Sequence, residues 1–224
     1  MATADLLVVG LGNPGAEYAG TRHNLGAETV LLVARRESVS LRPERGTSSA
    51  TALLRRDGRA LVLAVPQTYM NDSGLAVRSL ARRYLLDSRG AGTATGTGAG
   101  TAGEAGAATA GAGGGGFDPG ALVVVHDELD LEPGVVRIKV GGGTAGNNGL
   151  RSIQSHLRHL DFTRVRIGIG KPQGRGSGVE HVLRRPGRKD REVFDIAVEM
   201  AADAVECIFS EGVPVAMNRF NTRT

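Results

Sequence analysis

The sequence predicts an α/β fold: a single domain with a central, mostly parallel mixed sheet flanked by helices. Three observations carry this reading. Short apolar runs typical of buried strands, Leu6-Leu7-Val8-Val9 and Leu122–Val125, are separated by stretches of helical periodicity. Strands and helices interleave along the chain, the order expected when helices cover a sheet. With 224 residues, 41% hydrophobic and 22% charged, the chain has the composition of a soluble globular protein able to bury one sizeable core.

The first strand is Leu6–Val9. A helix is expected from about Leu25 to Glu37, with Val30, Leu31 and Ala34 on one face. Two strands, Ala50–Arg55 and Ala60–Val65, flank the hairpin signal Arg56-Asp57-Gly58. Asn71, Asp72 and Ser73 offer N-caps for a helix carrying Leu75, Leu80, Tyr84 and Leu85. Ser88–Gly116 consists almost wholly of Gly, Ala and Thr, with no apolar face to repay the entropy of ordering it, so it reads as a flexible insertion. Beyond it, Val135–Val140 alternates, placing Val136, Ile138 and Val140 opposite Arg137 and Lys139. Gly141–Asn147 is a loop and Leu150–Leu160 a helix. Arg164–Ile169 alternates again, with Arg164 and Arg166 opposite Val165 and Ile167. A long helix over about Lys189–Ser210 and a short C-terminal one complete the chain. Neither side of the insertion has enough strands to close a core, so one interrupted domain over 1–224 is expected.

Composition narrows the function classes. A net charge of +4 with a pI near 9.7 leans toward a polyanionic partner without requiring one. Aromatics make up 4%, without Trp, which disfavours a ligand site built from ring stacking. Cys207 is the only cysteine, so no intrachain disulfide can form. Asp5 stands where a signal peptide would be basic, and no apolar run approaches the ~20 residues of a membrane span. A cytosolic protein without membrane association is expected.

Gly10-Leu11-Gly12-Asn13-Pro14-Gly15 has the G-x-G-x-x-G spacing of a dinucleotide loop. Such a loop must run straight into a helix and be followed by an acidic residue ending a second strand. Here Ala16–Thr21 is poor in apolar spacing, and Glu37 falls at the end of a predicted helix. The turn instead presents Asn13 and then His23 and Asn24. A partner for His23 is available in Asp127, within His126-Asp127-Glu128-Leu129-Asp130 after a buried strand. A carboxylate there would fix the imidazole tautomer and raise its basicity. From spacing alone, a capped turn with solvated acids fits equally well. Clustered Asp127, Glu128, Asp130 and Glu132 raise a metal site as an option, but a second His at ligand spacing is missing. Asn71 and Asn148 could join Asn13 in holding a carbonyl or a water, or could simply be helix caps. The Gly141–Gly149 loop lacks the Gly-Lys-Ser/Thr ending of a P-loop, and Gly-x-Ser-x-Gly is absent, so neither nucleotide hydrolysis nor a covalent serine is supported.

These motifs in this order resemble bacterial peptidyl-tRNA hydrolases: Gly10–Gly15 with Glu17-Tyr18 and Thr21-Arg22-His23-Asn24, Pro66–Gly74, His126–Asp130, Gly141-Gly142-Gly143 with Asn148-Gly149-Leu150, and Arg164–Gly170. The resemblance spans about 5–86 and 117–221. It implies a monomer needing neither metal nor cofactor, acting on peptidyl-tRNA. His23 would activate water and Asp127 would orient it. Asn13, Asn71 and Asn148 would hold the peptide and the tRNA end, place the water or stabilise the oxyanion. Met70 and Tyr18 would line the cleft, and Arg137, Lys139 and Arg166 would meet tRNA phosphate. The family's loop usually has His or Gly where this chain has Thr144, Ala145 and Asn147. A non-catalytic RNA-binding relative is the main alternative, and an oxidoreductase a distant one.

Overall fold

A computed structural model describes residues 3–86, 117–172 and 178–222, so the Ser88–Gly116 stretch expected to be a flexible insertion lies outside the described residues. Strand β1 (Leu6–Gly10) leads through a loop into helix α1 (Leu25–Arg36). Strands β2 (Arg42–Glu44), β3 (Ser49–Arg56) and β4 (Arg59–Pro66) precede helix α2 (Ser73–Tyr84). After the insertion come β5 (Leu122–Glu128), β6 (Val136–Val140), α3 (Asn148–Leu157) and β7 (Thr163–Gly168). Helices α4 (Gly178–Leu183), α5 (Arg188–Glu211) and α6 (Val213–Phe220) close the chain.

All seven strands form one sheet in the order β2-β3-β4-β1-β5-β7-β6. The middle four, β4, β1, β5 and β7, run parallel, while β2, β3 and β6 add antiparallel pairings at the margins. Strands from both sides of the insertion share the centre: Val8 is in register with Leu63 on one side and Val123 on the other. The apolar runs are continuous because both faces of these strands are covered. On one face, Val8, Leu63, Val123, Val165 and Ile138 meet α1 and α5; on the other, Leu7, Val9, Val62 and Val124 meet α2 and α3. The second apolar layer takes nothing from β6 or β7, whose side chains on this face are polar.

Local chemistry explains most boundaries. Asp57 and Gly58 both have positive φ (52° and 75°), the two-residue turn that matches the twist of the β3–β4 hairpin. Helix α1 starts tight against the sheet because Gly26 has no side chain: a Cβ there would lie 2.2 Å from the Val125 carbonyl oxygen. Gly10 completes the contact, since its Cβ would meet the Gly26 carbonyl at 2.3 Å. That close approach brings the turn preceding α1 down onto the end of β5.

Leu31 is 41% exposed instead of packing with Val30 and Ala34, and helix α3 ends at Leu157 instead of Leu160; three further features depart from the sequence reading. Strand β5 runs three residues past Val125, so His126, Asp127 and Glu128 are strand residues, all buried. Asp72 takes the N-cap position of α2 without a side-chain cap bond; a 3-10 turn, Met70–Asp72, leads into the helix instead. Strand β2 and helix α4 are not expected from the sequence, β2 being the polar Arg-Pro-Glu and α4 only six residues long.

Candidate active site

The residues that gather at the C-terminal ends of β1 and β5 come from the end of β5 itself and from the segments that follow neighbouring strands, the usual place for chemistry in such sheets. His23 lies in a 3-10 turn, Arg22–Asn24, that runs directly into α1. Its Nδ1 is 2.9 Å from both carboxylate oxygens of Asp127. Both side chains are buried, His23 6% and Asp127 3% exposed. An ionised carboxylate only accepts, so Nδ1 carries the hydrogen and Nε2 is left with a lone pair. The geometry thus selects the paired His23–Asp127 arrangement over a turn of solvated acids. Asp130 and Glu132, by contrast, are exposed.

Asn13 and Asn24 lock the loop between them. The Asn13 N–H donates to Asn24 Oδ1 at 2.8 Å, and Asn24 Nδ2 donates to the Asn13 carbonyl at 2.9 Å. Asn13 Oδ1 accepts the Met70 N–H at 2.8 Å, which fixes the sense of its amide and leaves Nδ2 for another partner. Met70 itself is buried, its sulfur occupying the space beside Gly149 under the start of α3. Tyr18 meets Tyr69 edge-on, ring centres 6.2 Å apart, and Asn71 is exposed at the head of α2.

A cavity of about 220 Å³ opens beside the dyad, enclosed by His23, Asp127, Leu129, Asn147, Asn148, Val179 and Val182. Of the expected site residues it therefore unites His23, Asp127 and Asn148. Asn13, Tyr18, Met70 and Asn71 stand outside its lining, grouped through the Asn13–Met70 bond and the Tyr18–Tyr69 contact. Asn148 Oδ1 accepts from Arg151 at 3.3 Å.

Asn147 is the partner the sequence reading missed. It caps α3 by accepting the Leu150 N–H at 3.1 Å, and its Nδ2 reaches Asp127 Oδ1 at 3.3 Å. The signal was present in the doubled Asn147-Asn148, of which the first is the N-cap. The Gly141–Gly143 loop does not offer a simple nest of N–H groups: buried Arg164 holds the Gly143 carbonyl at 2.7 Å and also bonds that of Gly141.

Arg137, Lys139, Arg164 and Arg166 share one face of β6 and β7, with Arg137 opposite Arg166 and Lys139 opposite Arg164. They differ in freedom. Arg137 donates to the carbonyl of Phe220 at 3.1 Å, and Arg166 stands 3.9 Å from Glu128. Lys139 is exposed. Burial lowers the pKa of Arg164 and raises that of Glu128.

His126, beside the dyad, is fully enclosed; its Nδ1 donates to the Asp127 carbonyl at 2.8 Å. Burial pulls its pKa from 6.5 down to about 4, against the pull of Asp127, while Arg164 and Arg166 depress it further. Unfolding therefore takes up a proton between those values, and stability falls as pH drops through that window, by about 2 kcal/mol from pH 7 to pH 5. Glu128 acts in the opposite sense just above the usual carboxylate range, because the folded state holds its proton more tightly. His126→Gln is expected to flatten the acid slope, read as urea midpoints at both pH values. An unchanged slope would place the acid sensitivity elsewhere.

The peptidyl-tRNA hydrolase family model matches residues 7–90 and 103–224. The chain belongs to the peptidyl-tRNA hydrolase family. Among relatives of this family, the peptidyl-tRNA hydrolase of Cutibacterium acnes is 38% identical over 226 residues, covering 96% of this chain and 98% of that protein. That of Mycobacterium tuberculosis is 40% identical over 214 residues, 96% of each. The crystal structure of peptidyl-tRNA hydrolase from Acinetobacter baumannii aligns with a TM-score of 0.78 at 32% identity, covering 100% of this chain and 98% of that one. Family membership agrees with the α/β fold expected from the motifs. Among the described residues no helix is long and apolar enough to cross a membrane, and no three His, Cys, Asp or Glu side chains group as metal ligands.

Proposed function

We propose that the chain hydrolyses the ester joining a peptide to the 3′-terminal ribose of tRNA, with His23 as the base that activates water. The observation that carries this is the His23–Asp127 pair, whose geometry leaves Nε2 able to accept a proton. Water loses its proton to Nε2 as its oxygen attacks the ester carbonyl. Asp127 steadies the imidazolium that forms. The tetrahedral intermediate then expels the ribose 3′-oxygen, which takes the proton back, yielding free tRNA and a peptide carboxylate. An ester is reactive enough for this direct route, so neither a covalent nucleophile nor a metal is required.

Asn13, Asn71 and Asn148 contact the peptide backbone and the tRNA end, a feature of every nascent chain, and Tyr18 flanks them. Met70 contributes through its backbone N–H, which sets the Asn13 amide. Arg137, Lys139 and Arg166 dock tRNA phosphate on the cationic face of β6 and β7. The chain acts as a cytosolic monomer on peptidyl-tRNA.

The direct test is incubation with N-blocked aminoacyl-tRNA. Release of free tRNA is expected; binding without release would instead make the chain a non-catalytic RNA-binding relative. Lys139 is the cleanest probe of docking because Arg137 also braces α6. Lys139→Ala should raise KM with little change in kcat and reduce the salt slope of log KM by about 1. A turnover defect with an unchanged salt slope would place phosphate elsewhere.

A further inference from the structure

Helix α4 forms one wall of the His23 cavity through Val179 and Val182, yet little in its own sequence accounts for its position. It has six residues, of which only Val182 is buried, far below the length at which a helix stands alone. His181 Nε2 bonds the Ile169 carbonyl at 3.3 Å and Val182 joins the core, and a seam of two arginines crossing in opposite directions ties the helix to the His23 loop. Arg22, directly before His23, donates to the Arg184 carbonyl at 3.2 Å, just past the end of α4, and to Asp190 in the first turn of α5 at 2.9 Å. Its guanidinium lies 5.6 Å from the Phe194 ring centre, and its side chain is 9% exposed. Arg185 returns the connection, donating to the carbonyls of Ala19 at 2.9 Å and Ala16 at 2.8 Å, in the loop between Asn13 and His23.

We propose that Arg22 is a positioning residue for hydrolysis, holding α4 against the His23 turn so that the cavity wall and the base keep one spacing. The proposal rests on the function given above. It follows from placement: the residue adjoining the base is bonded to the far side of the pocket that must receive the ester. The fork of an arginine reaches the Arg184 carbonyl and Asp190 together, whereas a lysine has a single ammonium for both. Misplacement by about 1 Å can lower a rate by about 10²-fold even far from the reacting atoms.

The test pairs kinetics with amide hydrogen exchange in Arg22→Gln, Arg22→Lys and Arg185→Gln. Arg22→Gln is expected to lower kcat/KM on N-blocked aminoacyl-tRNA by about tenfold or more and to speed exchange in Val179–Arg184 by a similar factor, while the sheet stays protected. Arg22→Lys should fall between the two. Arg185→Gln loosens the same seam from a solvent-exposed position, so it reports even if Arg22→Gln fails to fold; a loss of about threefold is expected. Unchanged kinetics despite faster α4 exchange would overturn the proposal, as would lost activity with α4 still protected. The exchange arm reads the seam without substrate. An inactive wild type would therefore count against the hydrolase reading, while exchange unchanged in both Gln variants would count against the seam.

Discussion

His23→Ala is expected to lose turnover on N-blocked aminoacyl-tRNA by about 10²–10⁴-fold, the range usual for removal of a general base. KM should change far less, since the residues proposed to dock the substrate are the amides and the cationic strand face. Alanine also strands the Asp127 carboxylate, which is 3% exposed and, among the described residues, keeps only the Asn147 amide as a side-chain partner. Some stability, about 1–3 kcal/mol, should go with it. His23→Asn separates the two effects: it can still donate to Asp127 but is a very poor base, so it should be as inactive and more stable. Turnover within about tenfold of wild type in either variant would remove His23 as the base.

Gly26→Ala should be among the most disruptive single-methyl changes in the described fold. The added carbon would sit 2.2 Å from the Val125 carbonyl oxygen and within 2.9 Å of the Leu11 backbone, where no flexible side chain can give way. Helix α1 must lift, breaking the bond from the Ala27 N–H to the Leu11 carbonyl. A loss of about 3–5 kcal/mol is expected, lowering Tm by about 10 °C for a chain of this size. Gly143→Ala is the control, since nothing lies within 4 Å of its would-be Cβ. Equal melting of the two variants would show that α1 can relax without the sheet.

How much of this was legible in the sequence depended on whether a signal was local. Strands β1, β4 and β7 could be read because alternation or an unbroken apolar run follows directly from burial. The pairing of His23 with Asp127 across 104 positions was a guess from chemistry, since spacing cannot report a distance in space. The extension of β5 through Asp127 was hidden because buried polar residues look like a loop until their partners are known. Helix α4 is only six residues long, too short to show a period, and the contacts that tie its segment to Arg22, Ala19 and Ile169 are all distant in sequence. Asn147 was passed over because its helix-capping role and its bond to Asp127 depend on different parts of one amide.

The bond from the Met70 N–H to Asn13 has a chemical consequence. With Oδ1 engaged by the Met70 N–H, the Asn13 amide turns its Nδ2 hydrogens outward as donors, while His23, its Nδ1 proton held by Asp127, presents a lone pair at Nε2. The two groups thus differ in hydrogen-bond sense while neither carries a formal charge. A carbonyl suits the first and a water the second; exchanging the roles would leave a polar group unmatched on each side. Selection of this kind reads the polarity of a bond and is blind to the side chains around it.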